Sequence, residues 1–585
     1  MADVGHVGAF DRYQASLGLE RAADTVAEAA DRAGLDEVVV ERFVADGRPQ
    51  WWTFRAPVSW TPVTARLTLY AGPGPDCAEL LSTDHAEQPF AVATYSASTP
   101  PGGVVAPLVR VCGDEPIGPE FAGAIAVVER PAYGRGGLVA ELAAAGALGL
   151  VTDAPSKGES GQAHPGRIEL APDAVLFAFS LTPQALRRTA AAADRGWCAR
   201  AEIAVDRTAG MPVVSGVLPG DESGPEIWLT GHLCHPRPGA NDNASGVAAL
   251  LGVARTLARL RRADARYGTR RPIRFFWGPE YLGNAAVLHS RSGSSSGPGR
   301  PLPEALINLD MVGEDQERCR SPFVVERPPE TTPTLLGPLA EHVVERVFRA
   351  TADRPGRWTA SPFLGFSDHA LYADPSVDRP AVQFCHPADR FNHSAADSPD
   401  KVSPVEMLRS TAAATVLAYT LASGGPDPAA LAGVVRRWCR REQEVARGLL
   451  RERDDEWSRG LYDHVQRWNA TLLALALTGA APQDRLGPAD RDLGRPVRAC
   501  WDGPLNVRAM LSALPAATRA VLDGMIADDK RHLSVLFNLA IRADGRRDRE
   551  TITGLTSFGF RRPLPREATD RLFDALLASG WLAEV

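Results

Sequence analysis

The sequence predicts an α/β protein with a mostly parallel central sheet and helices on both faces, joined to a β-rich insertion and a helical C-terminal domain. Two observations carry this. Residues 211 to 423 alternate short apolar runs with stretches of helical periodicity, the pattern of parallel strands connected by crossover helices. The chain has 585 residues, beyond the roughly 250–300 at which a single core stops growing, so several units are expected.

Within the central segment, MPVVSGVLPG and EIWLTGH read as strands. The stretch TGHLCHPRPGANDNASG follows, and then Val247, Leu250, Leu251, Ala254 and Leu257 recur at helical spacing. His232 therefore falls at a strand end. Asp242 falls in a Gly/Asn-rich loop, before a helix that Asn243 or Ser245 would cap. IRFFWGPE, ALINLDMVG and PAVQFCHP read as further strands, with helices across 335 to 350 and from about 404.

The flanks follow in order. Residues 9 to 33 carry helical periodicity, and VVVERFVADGRPQWWTFRAPVSW alternates like short strands, so 1–60 is expected to pack on the central domain. Residues 61–205 are β-rich and punctuated by Pro and Gly. Within them, FAGAIAVVERPAYGRGGLVAELAAAGALGLVTDAP reads as strand, loop, helix, strand. The central domain is placed at 206–425. Residues 426–500 read as a helical linker region with a polar loop over 480 to 500, and 501–585 as short helices.

Composition excludes several classes. With 44% apolar and 23% charged residues, a net charge of −7 and a pI near 6.0, the chain has no global basic field to draw it to nucleic acid or a membrane. Arg546, Arg547, Arg549, Arg561 and Arg562 alternate with acidic residues, which favours a solvated surface over phosphate contacts. The eight cysteines are scattered without a CxxC pair, as suits reduced thiols. No signal-like N-terminus or bilayer-length apolar run is present in the sequence, so the expected location is cytoplasmic. Homo-oligomerisation is left open.

The chemistry sits at the strand ends and the loops beyond them. His232, Asp242, Glu280 (in FFWGPEYLGN), Asp310 (in NLDMVG) and His393 (in FNHSAADSPDKVSP) supply two imidazoles and three carboxylates. Any one of them alone is an ordinary polar residue. Together they are what a hydrolytic zinc site needs: N and O ligands, an open position for water, and a separate carboxylate to accept its proton.

In order, GHxxxP…GANDNASG, the Glu280 loop, NLDMVG, SDHALY and NHSAADSPDKV resemble the motifs of the double-zinc aminopeptidases, whose relatives include glutamate carboxypeptidase, glutaminyl cyclase and the transferrin receptor. The layout is similar to a bacterial branch with the HxCHP signature. In that branch 61–205 would be a protease-associated-like insertion and 501–585 a winged-helix-like domain. The resemblance implies that His232, Asp242, Asp310 and His393 are metal ligands, with Asp242 bridging, and that Glu280 is the general base. Asp368 and His369 match the SDH motif near the site.

Two departures stand out. The family reads HxD where this chain has Cys234 followed by His235. It carries paired glutamates where this chain has Glu280–Tyr281, or, in the register the Gly283 spacing disfavours, Pro279–Glu280, which would make Glu280 a ligand instead of the base. One metal group then looks complete. The other keeps only Asp242 and His393 unless Tyr281, His235 or His369 substitutes, so one tight zinc is expected and a second that is weak or absent. The implied function is a zinc-dependent amide or peptide hydrolase acting on a small substrate through metal-activated water. The alternatives are a catalytically inactive scaffold of the same fold and a single-zinc acyl transferase or cyclase.

Overall fold

Four parallel strands form the middle of an eight-stranded sheet: Ile273–Trp277, Ile227–Thr230, Ala305–Asp310 and Ala381–Cys385, in that spatial order. They are seen in a computed structural model that describes the chain except residues 114, 134–136, 158–162, 293–300, 352–355, 481–493 and 530. Every residue of the four strands is buried, which is why they read as continuous apolar runs instead of alternating ones.

On one side Met211–Leu218 pairs antiparallel with Ile273–Trp277, and Asp36–Phe43 closes that edge. On the other, Phe323–Glu326 runs antiparallel to Ala381–Cys385 and pairs in parallel with the edge strand Trp358–Ser361. Sequence periodicity did not predict these last two strands. Each has four residues, too few to display a period.

Leu17–Ala33, Gly246–Ala263, Leu336–Ala350 and Pro404–Ala422 cover one face of the sheet in a continuous apolar core. All five apolar positions expected on the Gly246–Ala263 helix are buried. Leu282–Arg291, His369–Ala373 and the C-terminal module cover the other face. The helix expected from 9 to 33 is broken: helices span Ala2–Gly8 and Leu17–Ala33. The second begins where the Ser16 hydroxyl accepts the Leu19 N–H at 3.0 Å.

Residues 61 to 206 build a separate seven-stranded sheet in the order Glu79–Asp84, Thr61–Tyr70, Cys198–Asp206, Val104–Arg110, Ile125–Val128, Gly149–Thr152, Phe177–Ser180. It has its own core around Trp60, Leu67, Ile125, Leu150 and Phe179. Farther along, helices Pro428–Arg453 and Glu456–Thr478 pack on each other through Trp438, Trp468 and Leu472. Of the polar loop expected over 480 to 500, residues 481–493 lie outside the described residues. Pro496–Ala499 corrects the rest: it is the middle strand of a three-stranded sheet with Asp544–Asp548 and Leu582–Glu584. Among the described residues no helix is long and apolar enough to cross a membrane.

The C-terminal module rests on the central domain. Phe537 packs on Phe363 with ring centroids 5.9 Å apart. The Asn538 amide donates to Phe363 O at 3.1 Å, and the Ser534 hydroxyl to Leu364 O at 3.1 Å. Arg547, Arg549, Arg561 and Arg562 of this module pair with Asp544, Asp574, Glu330 and Asp529. Truncating Phe537 to Ala is expected to cost about 3–5 kcal/mol through the cavity it leaves. Thermal unfolding of the variant checks this, and an unchanged Tm would mean that the module does not depend on this contact.

Candidate metal centre

Two adjacent parallel strands deliver the first two candidate residues. Ile227–Thr230 leads through Gly231 to His232, and Asp310 is the last residue of Ala305–Asp310. Asp242 lies in the non-helical loop before Gly246–Ala263, and its neighbour fastens that loop. The Asn243 amide donates to Leu309 O at 2.9 Å, while its Oδ1 accepts Gly246 N–H at 3.0 Å and Met311 N–H at 2.9 Å. Asn243, not Ser245, therefore serves the start of the helix; Ser245 instead bonds Asn241 O and Val312 N. From the far side, the Asp397 carboxylate accepts the N–H groups of Asn241 and Asp242 at 2.8 and 2.9 Å.

Two groups of three side chains that could each hold a metal ion share Asp242. In the first, His232 Nε2 lies 3.1 Å from Asp310 Oδ1 and 3.3 Å from Asp242 Oδ1. In the second, His235 Nε2 and His393 Nε2 each lie 3.2 Å from Asp242 Oδ2. The two oxygens of one carboxylate thus face different groups.

The donor chemistry fits a cation. His232 Nδ1 sits 3.0 Å from Cys234 O and His235 Nδ1 sits 2.8 Å from Pro236 O. Carbonyls only accept, so Nδ1 carries the proton in both rings. In His235, which burial keeps neutral, Nε2 directs a lone pair at Asp242. Against burial, Asp310 raises His232 well above the usual imidazole range, and its Nε2 meets that carboxylate as a hydrogen bond. His235 Nε2 is buried and, despite its 3.2 Å approach to Asp242, makes no hydrogen bond. Lone pairs facing carboxylates repel unless a cation lies between them, and imidazole with carboxylate is a zinc donor set. His393, with its side chain half exposed and φ at 59°, leaves one side open.

Burial sets the electrostatics. It pushes the His235 imidazole down to about 4, the neutral form a ligand needs. Burial also raises Asp242, but His235, His232 and His393 outweigh it and hold this carboxyl well below the usual range. Asp397 is pushed up to about 8 by burial, against the pull of its two backbone donors. Glu280 is held above the ordinary carboxylate range, by burial first, with Asp310 and Asp242 adding to it.

Glu280 belongs to neither group. Its N–H donates to Cys234 Sγ at 3.1 Å. Cys234 is not in either group; its carbonyl orients His232, while its Sγ is 3.9 Å from Nδ1. Of the three substitutes for the missing ligand, only His235 reaches Asp242. The Tyr281 hydroxyl donates to Gly365 O at 3.1 Å, its ring stacks on Phe54, and burial raises its pKa, so it is no ligand. His369 Nε2 lies 2.7 Å from Glu326 and is likewise excluded. Asp368 holds the Glu280 loop by accepting Tyr281 N–H at 2.6 Å. The second group therefore offers as many candidate donors as the first, with His235 in the place for which Tyr281 and His369 were the other candidates.

Sequence reading missed Asp397 as a support, although it lies four residues after His393 within NHSAADSP. It also missed Arg12, far away in the chain, whose N–H bonds His235 O at 2.9 Å. Nothing local marks Arg12 as anything but a surface charge.

Residues 213–418 match the model of peptidase family M28. Two solved structures share the fold. One is a zinc aminopeptidase from Bacillus subtilis, 18% identical, covering 72% of this chain and 92% of its own, with a TM-score of 0.50. The other is a peptidase M28 precursor from Shewanella amazonensis, 17% identical, covering 72% and 92%, with a TM-score of 0.50.

Substituting His235 by Ala is expected to remove one zinc per chain, whereas Tyr281→Phe leaves the metal content as it is. Elemental analysis of both purified variants decides, and the reverse result would restore Tyr281 as the ligand.

Proposed function

Since residues 213–418 match the model of peptidase family M28, we propose that the chain is a zinc-dependent hydrolase of aminopeptidase type whose working residues are those gathered around Asp242. It cleaves an amide or peptide bond in a small substrate. The observation that carries the assignment of residues is the pair of three-residue groups sharing Asp242, with Glu280 beside them and outside both.

His232, Asp242 and Asp310 would hold one zinc, and His235, Asp242 and His393 a second. When bound, zinc supplies a Lewis acid that polarises the scissile carbonyl and acidifies water. Glu280 accepts the proton of the attacking water on its carboxylate and passes it to the leaving amine. A carboxyl that burial holds above its usual range is a stronger proton acceptor than an exposed one, which suits that double duty. Cys234 fixes the backbone on which Glu280 sits, and Asp368 fixes the residue after it. An inactive scaffold has no physical need for these clustered carboxylates, each of which costs free energy to bury.

We read the seven-stranded sheet as a protease-associated-like insertion and residues 501–585 as a winged-helix-like module. A cytoplasmic location suits the scattered cysteines.

Glu280→Gln removes the proton acceptor while leaving both metal groups untouched. It should lower kcat by about 10²–10⁴-fold with zinc content unchanged. Turnover of an aminoacyl amide at the wild-type rate would remove Glu280 from the mechanism.

A further inference from the structure

Arg12 is fully buried between the helices Ala2–Gly8 and Leu17–Ala33, and its guanidinium is directed at main-chain carbonyls. Nε donates to Leu233 O at 2.7 Å, one terminal nitrogen to Gly239 O at 3.2 Å, and the other to Val7 O and Phe10 O at 2.6 and 3.1 Å. Its own N–H donates to His235 O at 2.9 Å, forming an antiparallel bridge with that residue. One side chain thus grips the loop 233–239 at both ends, while its backbone holds the middle, where His235 sits.

The neighbouring residue extends the grip outward. Asp11 accepts Arg237 N–H and Nε–H at 3.2 and 2.9 Å and lies 3.1 Å from His85 Nε2. Arg237 donates in turn to His85 O at 2.7 Å. A buried guanidinium is tolerated only when its donors are satisfied, and these are charge-assisted bonds in a planar fork that lysine cannot reproduce.

We propose that Arg12 is a positioning residue for the second metal group, holding the 233–239 loop so that His235 Nε2 reaches Asp242. This rests on the two-group reading above. The first group leans on the same grip only through Cys234 O, which lies in that loop. His232 comes directly off a strand, is oriented by Cys234 O and faces Asp310 on the adjacent strand. Loss of Arg12 therefore acts chiefly on the second metal.

The test uses the full chain, stripped of metal and titrated with zinc and, separately, with cobalt(II). Metal per chain and the visible cobalt spectrum are the readouts. Wild type is expected to bind two ions. Arg12→Lys is expected to hold the first nearly as wild type does and the second about 10–100-fold more weakly, the usual effect of removing an outer-shell support. Asp11→Asn loosens the same loop at Arg237, away from Asp242, and covers the case in which Arg12→Lys fails to fold; it should give the same selective loss. Two ions bound at wild-type affinity in the variants, or equal weakening of both ions, overturns the proposal. A wild-type chain that binds a single ion instead overturns the two-group reading beneath it.

Discussion

One carboxylate bears most of the structural demand. Asp242 is almost wholly buried, and its two oxygens face His232 on one side and His235 with His393 on the other. An ionised carboxyl in such a place is tolerable only when positive or hydrogen-bonding partners surround it. The neighbouring structure is arranged to meet that condition. Asp397 takes the backbone N–H groups of Asn241 and Asp242, and Asn243 ties the loop to the end of the Ala305–Asp310 strand. Two acids in contact are sustained because one is turned toward imidazoles and the other toward amides.

The other modules of the chain act as walls for this centre. The insertion reaches it through an antiparallel bridge between Gly166 and Ser394, with the Arg167 N–H on His393 O at 2.9 Å. The C-terminal module reaches it through a relay of packing. Phe537 lies so close over Gly365 that a side chain there would collide with its ring, and Gly365 O accepts the Tyr281 hydroxyl. Tyr281 follows Glu280 directly. Glu326 completes the support by accepting the N–H groups of Leu364 and Gly365 and facing His369. The SDH segment is thus a brace between the module and the Glu280 loop.

Much of this was legible in the chain itself. The buried strands are continuous apolar runs, and the helix after Asp242 shows its spacing plainly, so His232 and Asp310 could be placed at strand ends and Asp242 in the loop before a helix, ahead of any coordinates. The short strands Phe323–Glu326 and Trp358–Ser361 could not, because four residues carry no period. The break at residues 9–16 was hidden for a related reason: that segment is shaped by partners more than two hundred residues away.

The sequence by itself determined the class of fold and the residue types that gather near the strand ends, imidazoles and carboxylates. Those are properties of residue types at local spacings, which periodicity and loop composition express directly. Only the tertiary structure chose His235 over Tyr281 and His369 as the neighbour of Asp242, and only it brought Arg12 and Asp397 to the loops around it. That choice depends on where a side chain's hydrogen bonds are already committed. Tyr281 is taken by Gly365 O and His369 by Glu326, while His235 has its Nδ1 tied to Pro236 O and its Nε2 left to face Asp242. Such commitments join residues distant in the chain, and no local pattern records them.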